Sequence, residues 1–217
     1  MRVDGRRRNS PPVLDLVRER ILSVAKEIVR GQGLSALTIA AIGHAMHMRP
    51  ETIRRFVRDL DQVRDAVTAT AQAELVELME GAIGDRCGRV ALEALLESQR
   101  LYAQAQPGLY EAALVRPLRP GGMDPREQDV LTRFECATLR ACGATEARAA
   151  QLAWCFRAAV HGAICLEARD RQSRQRDIDA NFECLLGILD AAARSTGEAA
   201  APPPSLAVLE SLAVGEP

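Results

Sequence analysis

Between Leu37 and Val67 the chain reads LTIAAIGHAMHMRPETIRRFVRDLDQVRDAV, and the punctuation of this stretch constrains the fold more than any other feature. Thr38 is a good N-cap residue, and Ile39, Ile42 and Met46 follow at the spacings of one helical face. His47 falls where a tight turn needs unusual backbone, and histidine is one of the few non-glycine residues that tolerates the left-handed region. Arg49-Pro50-Glu51-Thr52 opens a second helix with proline in its first turn, where a missing N–H costs nothing. That helix carries Arg54 and Arg55 and is expected to end near Val57. Asp59-Leu60-Asp61-Gln62 is a capping box that opens a third helix. Two short helices across a tight turn, the second one basic, form a helix-turn-helix.

Such a motif reads DNA from the N-terminal end of its second helix. Arg49, Glu51 and Thr52 stand there, Pro50 fixes the helix start, and Arg54 and Arg55 follow one turn on. Arginine can grip guanine in two bonds, and glutamate can accept from cytosine. Thr38 can offer its hydroxyl and backbone N–H to a phosphate, and His47 holds the turn between the helices. The alternative for the arginines is a solvated helix face.

The charge distribution agrees with DNA binding. Residues 1–65 hold 13 basic and 8 acidic residues, and residues 66–217 hold 15 and 21. A basic first third joined to an acidic remainder is the asymmetry of a DNA-binding domain carrying something else. Every basic residue except Lys26 is arginine, a bias that runs through the whole chain and points to a GC-rich genome. Aromatic residues make up only 3% of 217 residues, and no Val/Ile/Thr-rich alternating run occurs, so the expected class is all-α.

The stretch resembles the DNA-binding domain of the TetR/AcrR family of transcriptional regulators. The likeness rests on Ala25, Gly33, Leu37-Thr38-Ile39, Ile42, Ala45, Met48, Pro50, Thr52-Ile53, Arg55, Asp59, Val63 and Ala66-Val67. His47 stands where the family has its turn glycine, Arg54 where it has a phosphate-contacting tyrosine, and Leu60 where it has a lysine. The usual core phenylalanine appears as Val57, with Phe56 beside it. Further on, Trp154, His161-Gly162, Asp177-Ile178-Asp179 and Phe182 resemble the W-H-G class of the family's C-terminal domains.

The resemblance implies an N-terminal three-helix helix-turn-helix domain followed by a helical bundle for ligand binding and dimerisation. The expected division is a flexible basic arm over 1–12, the DNA-binding domain over 13–62, the bundle over 63–196 and a flexible tail over 197–217. Helices are expected over Val13–Gly31, Leu60–Ile83, Val90–Gln104, from the second capping box at Asp124 to about Cys142, from Thr145 to about Arg171, and over Asp177–Arg194. Arg116 to Gly122 is expected to be a loop, and Ser205 to Val214 a short helix. A small apolar or amphipathic effector is expected among Leu95, Tyr102, Phe134, Trp154 and His161. A two-fold interface is expected from the last two long helices through Gly162, Phe182 and Leu186.

The expected function is release of a repressor from a palindromic operator by that effector. Two other readings stay open: a dimeric DNA-binding regulator with no small effector, and an all-α enzyme or carrier with a degenerate helix-turn-helix. The chain shows no catalytic motif, and His44, His47 and His161 form no constellation with a nucleophile, so no enzyme and no cofactor are expected. Six cysteines without a CxxC or a metal-ligand spacing are expected to be reduced and mostly buried, with a redox pair as the alternative and no metal. No run of eighteen apolar residues and no secretory h-region are seen, so a cytoplasmic protein without membrane contact is expected.

Overall fold

A helix that must pack on one side needs apolar residues at spacings of three and four, and α1 (Pro12–Gln32) has them in Ile21, Val24, Ala25 and Val29, all buried. These contacts come from a computed structural model that describes residues 12–114, 130–169 and 175–195. The expected basic arm, the 116–122 loop, the Asp124 capping box and the C-terminal tail lie outside the described residues, apart from the arm's last residue, Pro12. Gly33, at φ 80°, ends α1 by donating its N–H to Val29 O at 2.9 Å. A 3-10 turn (Leu34–Ala36) then delivers Leu37 into the core.

Thr38 caps α2 (Ile39–Ala45), its Oγ1 accepting from Ala41 N–H at 3.0 Å. The following turn is tight enough to dictate residue type. His47 adopts φ 54°, and Met48 N–H donates back to Gly43 O at 2.8 Å. A Cβ on Gly43 would lie 2.7 Å from Met48 O, so only glycine fits there. α3 (Pro50–Ile53) is shorter than expected: beyond Ile53 the chain continues as a turn, with Arg55 N–H donating to Thr52 O and Phe56 N–H to Ile53 O. Asp59 caps α4 (Leu60–Ile83) by accepting from Gln62 N–H at 2.7 Å, while Gln62 Oε1 reaches back to Arg58 N–H at 2.9 Å.

α4 is the axis of the molecule. It packs on α1 at one end and on α5 (Gly88–Ala105), α6 (Pro107–Leu114) and α7 (Val130–Ala141) along the rest. One apolar core therefore runs without a break from Ile21 to Ala193. α6 lies against both α4 and α1. Its approach to α1 is so close that a Cβ on Gly108 would sit 2.1 Å from Val29 O.

α8 (Glu146–Arg169) and α9 (Gln175–Arg194) close the bundle, and no strand occurs among the described residues. The expectation of no membrane-crossing helix needs one qualification. α8 is long and apolar enough by length and composition alone, although Phe156, Val160 and Ile164 pack into the core.

Candidate nucleic-acid interface and bundle site

The helix-turn-helix presents its polar residues outward. Thr38, His47, Arg49, Glu51, Arg54 and Arg55 are exposed, while Pro50 and Thr52 are half-buried. Ile53, between the arginines and the α3 start, is fully buried and pins the segment to the core. Arg49 is the N-cap of α3 in extended backbone, so its side chain leaves at the end where α3 backbone N–H groups are unpaired. Arg54 and Arg55 sit in the turn after α3 and not on its helical face, which corrects the expectation that the helix reaches Val57. Past Ile53 the Arg55 and Phe56 N–H groups bond three residues back, so the chain tightens into a turn.

Arg18 on α1 donates from Nε to Phe56 O at 3.1 Å and holds that exit in place. Sequence reasoning did not single it out, because the contact spans 38 residues. Asp59's carboxyl is held below its ordinary value, first by the Gln62 N–H and then by the Arg58 guanidinium. Among the described residues, no ion pair or hydrogen bond engages the side chains of Arg49, Arg54 or Arg55, so three guanidinium groups face solvent on one end of the molecule.

In the bundle, the five expected ligand residues do not form one lining. Leu95 is fully buried, and Phe134 and His161 are half-buried. Tyr102 turns toward α4, its hydroxyl 3.3 Å from Glu74 Oε2, and Glu74 in turn pairs with Lys26 of α1. Trp154 is 72% exposed, because the inward stripe of α8 runs through Ala149, Ala153, Phe156, Val160 and Ile164. One residue past Ala153 is about 100° around the helix, which carries the indole outward.

The expected dimer residues also divide. Gly162 lies on the side of α8 away from that stripe, with open space where a Cβ would be. Phe182 and Leu186 are 6% and 3% exposed and pack inside the protomer, so they cannot offer their side chains to a partner. Phe182 lies beneath Arg100, whose guanidinium is 4.4 Å from the ring centroid. Arg100 also grips Glu167 with two bonds of 2.9 and 3.0 Å and reaches Asp179 at 2.9 Å, tying α5 to α8 and α9. These partners, Glu167 above all, hold its guanidinium well above the usual arginine value.

The cysteines are not mostly buried as expected: Cys136 and Cys142 are, but Cys87, Cys155, Cys165 and Cys184 are exposed, and all six are free. Burial pushes the Cys136 and Cys142 thiols up. Cys165 Sγ lies 3.5 Å from His161 Nε2, and the His161 ring lies 5.8 Å from that of Tyr110.

A group absent from the expectation sits deeper. Gln99 and Glu135 are fully buried, and Gln99 Nε2 donates to Glu135 Oε1 at 3.4 Å. Arg157 donates to the other oxygen, Oε2, from Nε at 3.1 Å and Nη2 at 2.6 Å, and to Thr132 Oγ1 at 2.9 Å. A signal existed: Glu135 stands four residues from both Leu131 and Leu139, a carboxylate on the apolar stripe of α7.

Residues 92–189, which hold Trp154, His161-Gly162, Asp177-Ile178-Asp179 and Phe182, match the model of a tetracyclin repressor-like C-terminal domain. The chain is 25% identical over 171 residues to the HTH-type transcriptional regulator YobS of Bacillus subtilis, covering 77% of this chain and 87% of that one. It is 28% identical over 156 residues to an HTH-type transcriptional regulator of Mycobacterium tuberculosis, covering 70% of each. A TetR variant of Acinetobacter baumannii, solved in complex with minocycline, shares the fold with a TM-score of 0.58 at 18% identity, over 81% of this chain and 94% of that one. The regulatory protein SCO4313 shares it with a TM-score of 0.60 at 21% identity, over 82% and 96%.

Proposed function

We propose that this chain is a transcriptional regulator of the TetR family, that it represses transcription as a homodimer on a palindromic operator, and that a small apolar or amphipathic molecule releases it, a reading supported by the matched C-terminal domain model and the two regulator relatives. It acts on DNA in the cytoplasm, and no catalytic step is assigned to it. The observation that carries the reading is the path of α4 and α6. α4 begins at Asp59, beside Arg54 and Arg55, and is packed farther on by α5, α6 and α7. α6 carries Tyr110 into the bundle and places Gly108 on Val29 of the DNA-binding end. A ligand that shifts α6 therefore shifts α1 and α4, and so the arginines.

The coupling must be reciprocal: a ligand that weakens DNA binding by some factor is itself weakened by DNA by that factor. The test is a gel shift and salt titration on the DNA upstream of its own gene. Arg54→Ala and Arg55→Ala are each expected to weaken specific and random DNA alike and to lower the salt slope by about one unit. Arg49→Ala is expected to relax preference at one or two base pairs, at about 1–3 kcal/mol. Unchanged affinity in all three variants would remove the interface assignment. A regulator without a small effector is the second reading, favoured by the scatter of Tyr102, Trp154 and His161 over three environments.

A further inference from the structure

Among the described residues, two polar atoms buried in the bundle have no hydrogen-bond partner: Gln99 Oε1 and the Tyr110 hydroxyl. Gln99 is fully buried and Tyr110 is 4% exposed. Buried polar atoms are almost always paired, and each one left alone forfeits its hydration without return. Each of these two atoms states what it lacks. Gln99 Nε2 donates to Glu135 Oε1 at 3.4 Å, and turning the amide over would aim its oxygen at a carboxylate. Its Oε1 therefore wants a donor. Burial first, then the neighbouring Cys165 and Glu135, push the Tyr110 phenol well above its ordinary value, so it stays a neutral O–H that can donate and accept.

The surroundings select against charge. Glu135 is held by Arg157 through bonds of 3.1 and 2.6 Å, and Arg157 also donates to Thr132. That pair is neutral as a unit. The same helices, α5, α7 and α8, bury Leu95, Leu131 and Phe156 completely. A carboxylate would set acceptor against acceptor at the Gln99 oxygen. A hydrocarbon would leave both atoms unpaired. A hydroxyl donates and accepts at once.

We propose that the effector is a neutral, largely apolar molecule whose hydroxyl groups pair with Gln99 Oε1 and the Tyr110 hydroxyl. The proposal rests on the reading that the bundle binds a small effector, and it names that effector's chemical class. Tyr110 is also the residue through which the site reaches α6, and its ring stands against His161 of α8.

The test uses the full-length protein without DNA and three probes of similar shape: phenol, toluene and benzoate. Ligand-observed saturation-transfer NMR and calorimetric titration are expected to show phenol bound about tenfold or more tightly than either of the others. Tyr110→Phe and Gln99→Leu are each expected to cut that preference to about twofold. Tyr110→Phe is expected to melt no lower than the parent, since it removes a hydroxyl that has no partner. Equal binding of phenol and toluene, no phenol binding at all, or a preference that survives both substitutions overturns the proposal, and a buried water then serves the two atoms. If a variant fails to fold, the parent's ranking of the three probes decides alone. The DNA gel shift is run in parallel. Intact operator binding without a phenol preference sinks the ligand class only, whereas absent operator binding sinks the regulator reading.

Discussion

At the scale of single residues, His47 shows how a turn can be specified without glycine. Its φ of 54° lies in the left-handed region, where an L side chain costs about 1–2 kcal/mol. Histidine tolerates the position better than a β-branched residue, whose second γ-atom crowds the backbone. His47→Val is therefore expected to lower unfolding stability by about 1–2 kcal/mol. His47→Gly, in which relief of strain offsets the entropy of a freer unfolded chain, is expected to stay within about 0.5 kcal/mol of the parent. Urea unfolding of the three proteins measures this, and equal loss in both variants would mean that the imidazole and not the backbone matters. Gly43 allows no such exchange, because the atom that a Cβ would meet is the backbone oxygen of Met48.

At the scale of elements, α4 depends on its first turn. Asp59 accepts from Gln62 N–H, and its carboxyl is held below its ordinary 3.8 by that bond first and by Arg58 second. A folded-state value below the unfolded one gives stability that is present above the unfolded value and lost as pH falls through the folded one. Asp59→Asn keeps a capping oxygen but loses the charge. The variant is therefore expected to melt below the parent at neutral pH, with the gap closing as pH falls below about 4. A gap that stays constant down to pH 2 would assign the effect to geometry and not to charge. The capping signals at Thr38, Pro50 and Asp59 are local, which is why α2, α3 and α4 were legible from the chain alone. The exit of α3 at Ile53 was not, because Arg18 fixes it from 38 residues away. Nor was the inward face of α8, since apolar residues stand on more than one side of it and only packing chooses between them. Trp154 faces outward for that reason, and of the Gln99–Glu135 meeting, which spans 36 residues, the chain alone shows only the carboxylate on the apolar stripe of α7.

At the scale of the whole molecule, the buried placement of Phe182 and Leu186 moves the expected dimer face without removing it. The outer sides of α8 and α9 leave Trp154, Leu166 and Ile188 exposed at 72%, 68% and 62%, and Gly162 lies open among them on α8. Large apolar groups gathered on adjoining helices are what a partner surface requires. A two-fold operator needs two recognition segments about 34–36 Å apart, so a monomer reads only half a site. Linking two half-site contacts raises overall affinity by about 10²–10⁴ without any new contact. Trp154→Glu combined with Leu166→Glu is therefore expected to give a folded monomer in analytical ultracentrifugation, with operator affinity reduced by about that factor. Phe182→Glu is expected to behave differently. It places a carboxylate in the core beneath Arg100, and it should lower the melting temperature before it changes assembly. Because Trp154 is the single tryptophan, its emission should shift to the blue as parent protein is concentrated and the indole leaves water. A parent that stays monomeric at micromolar concentration, or a double variant that still dimerises, would place the interface elsewhere and detach operator binding from these two helices.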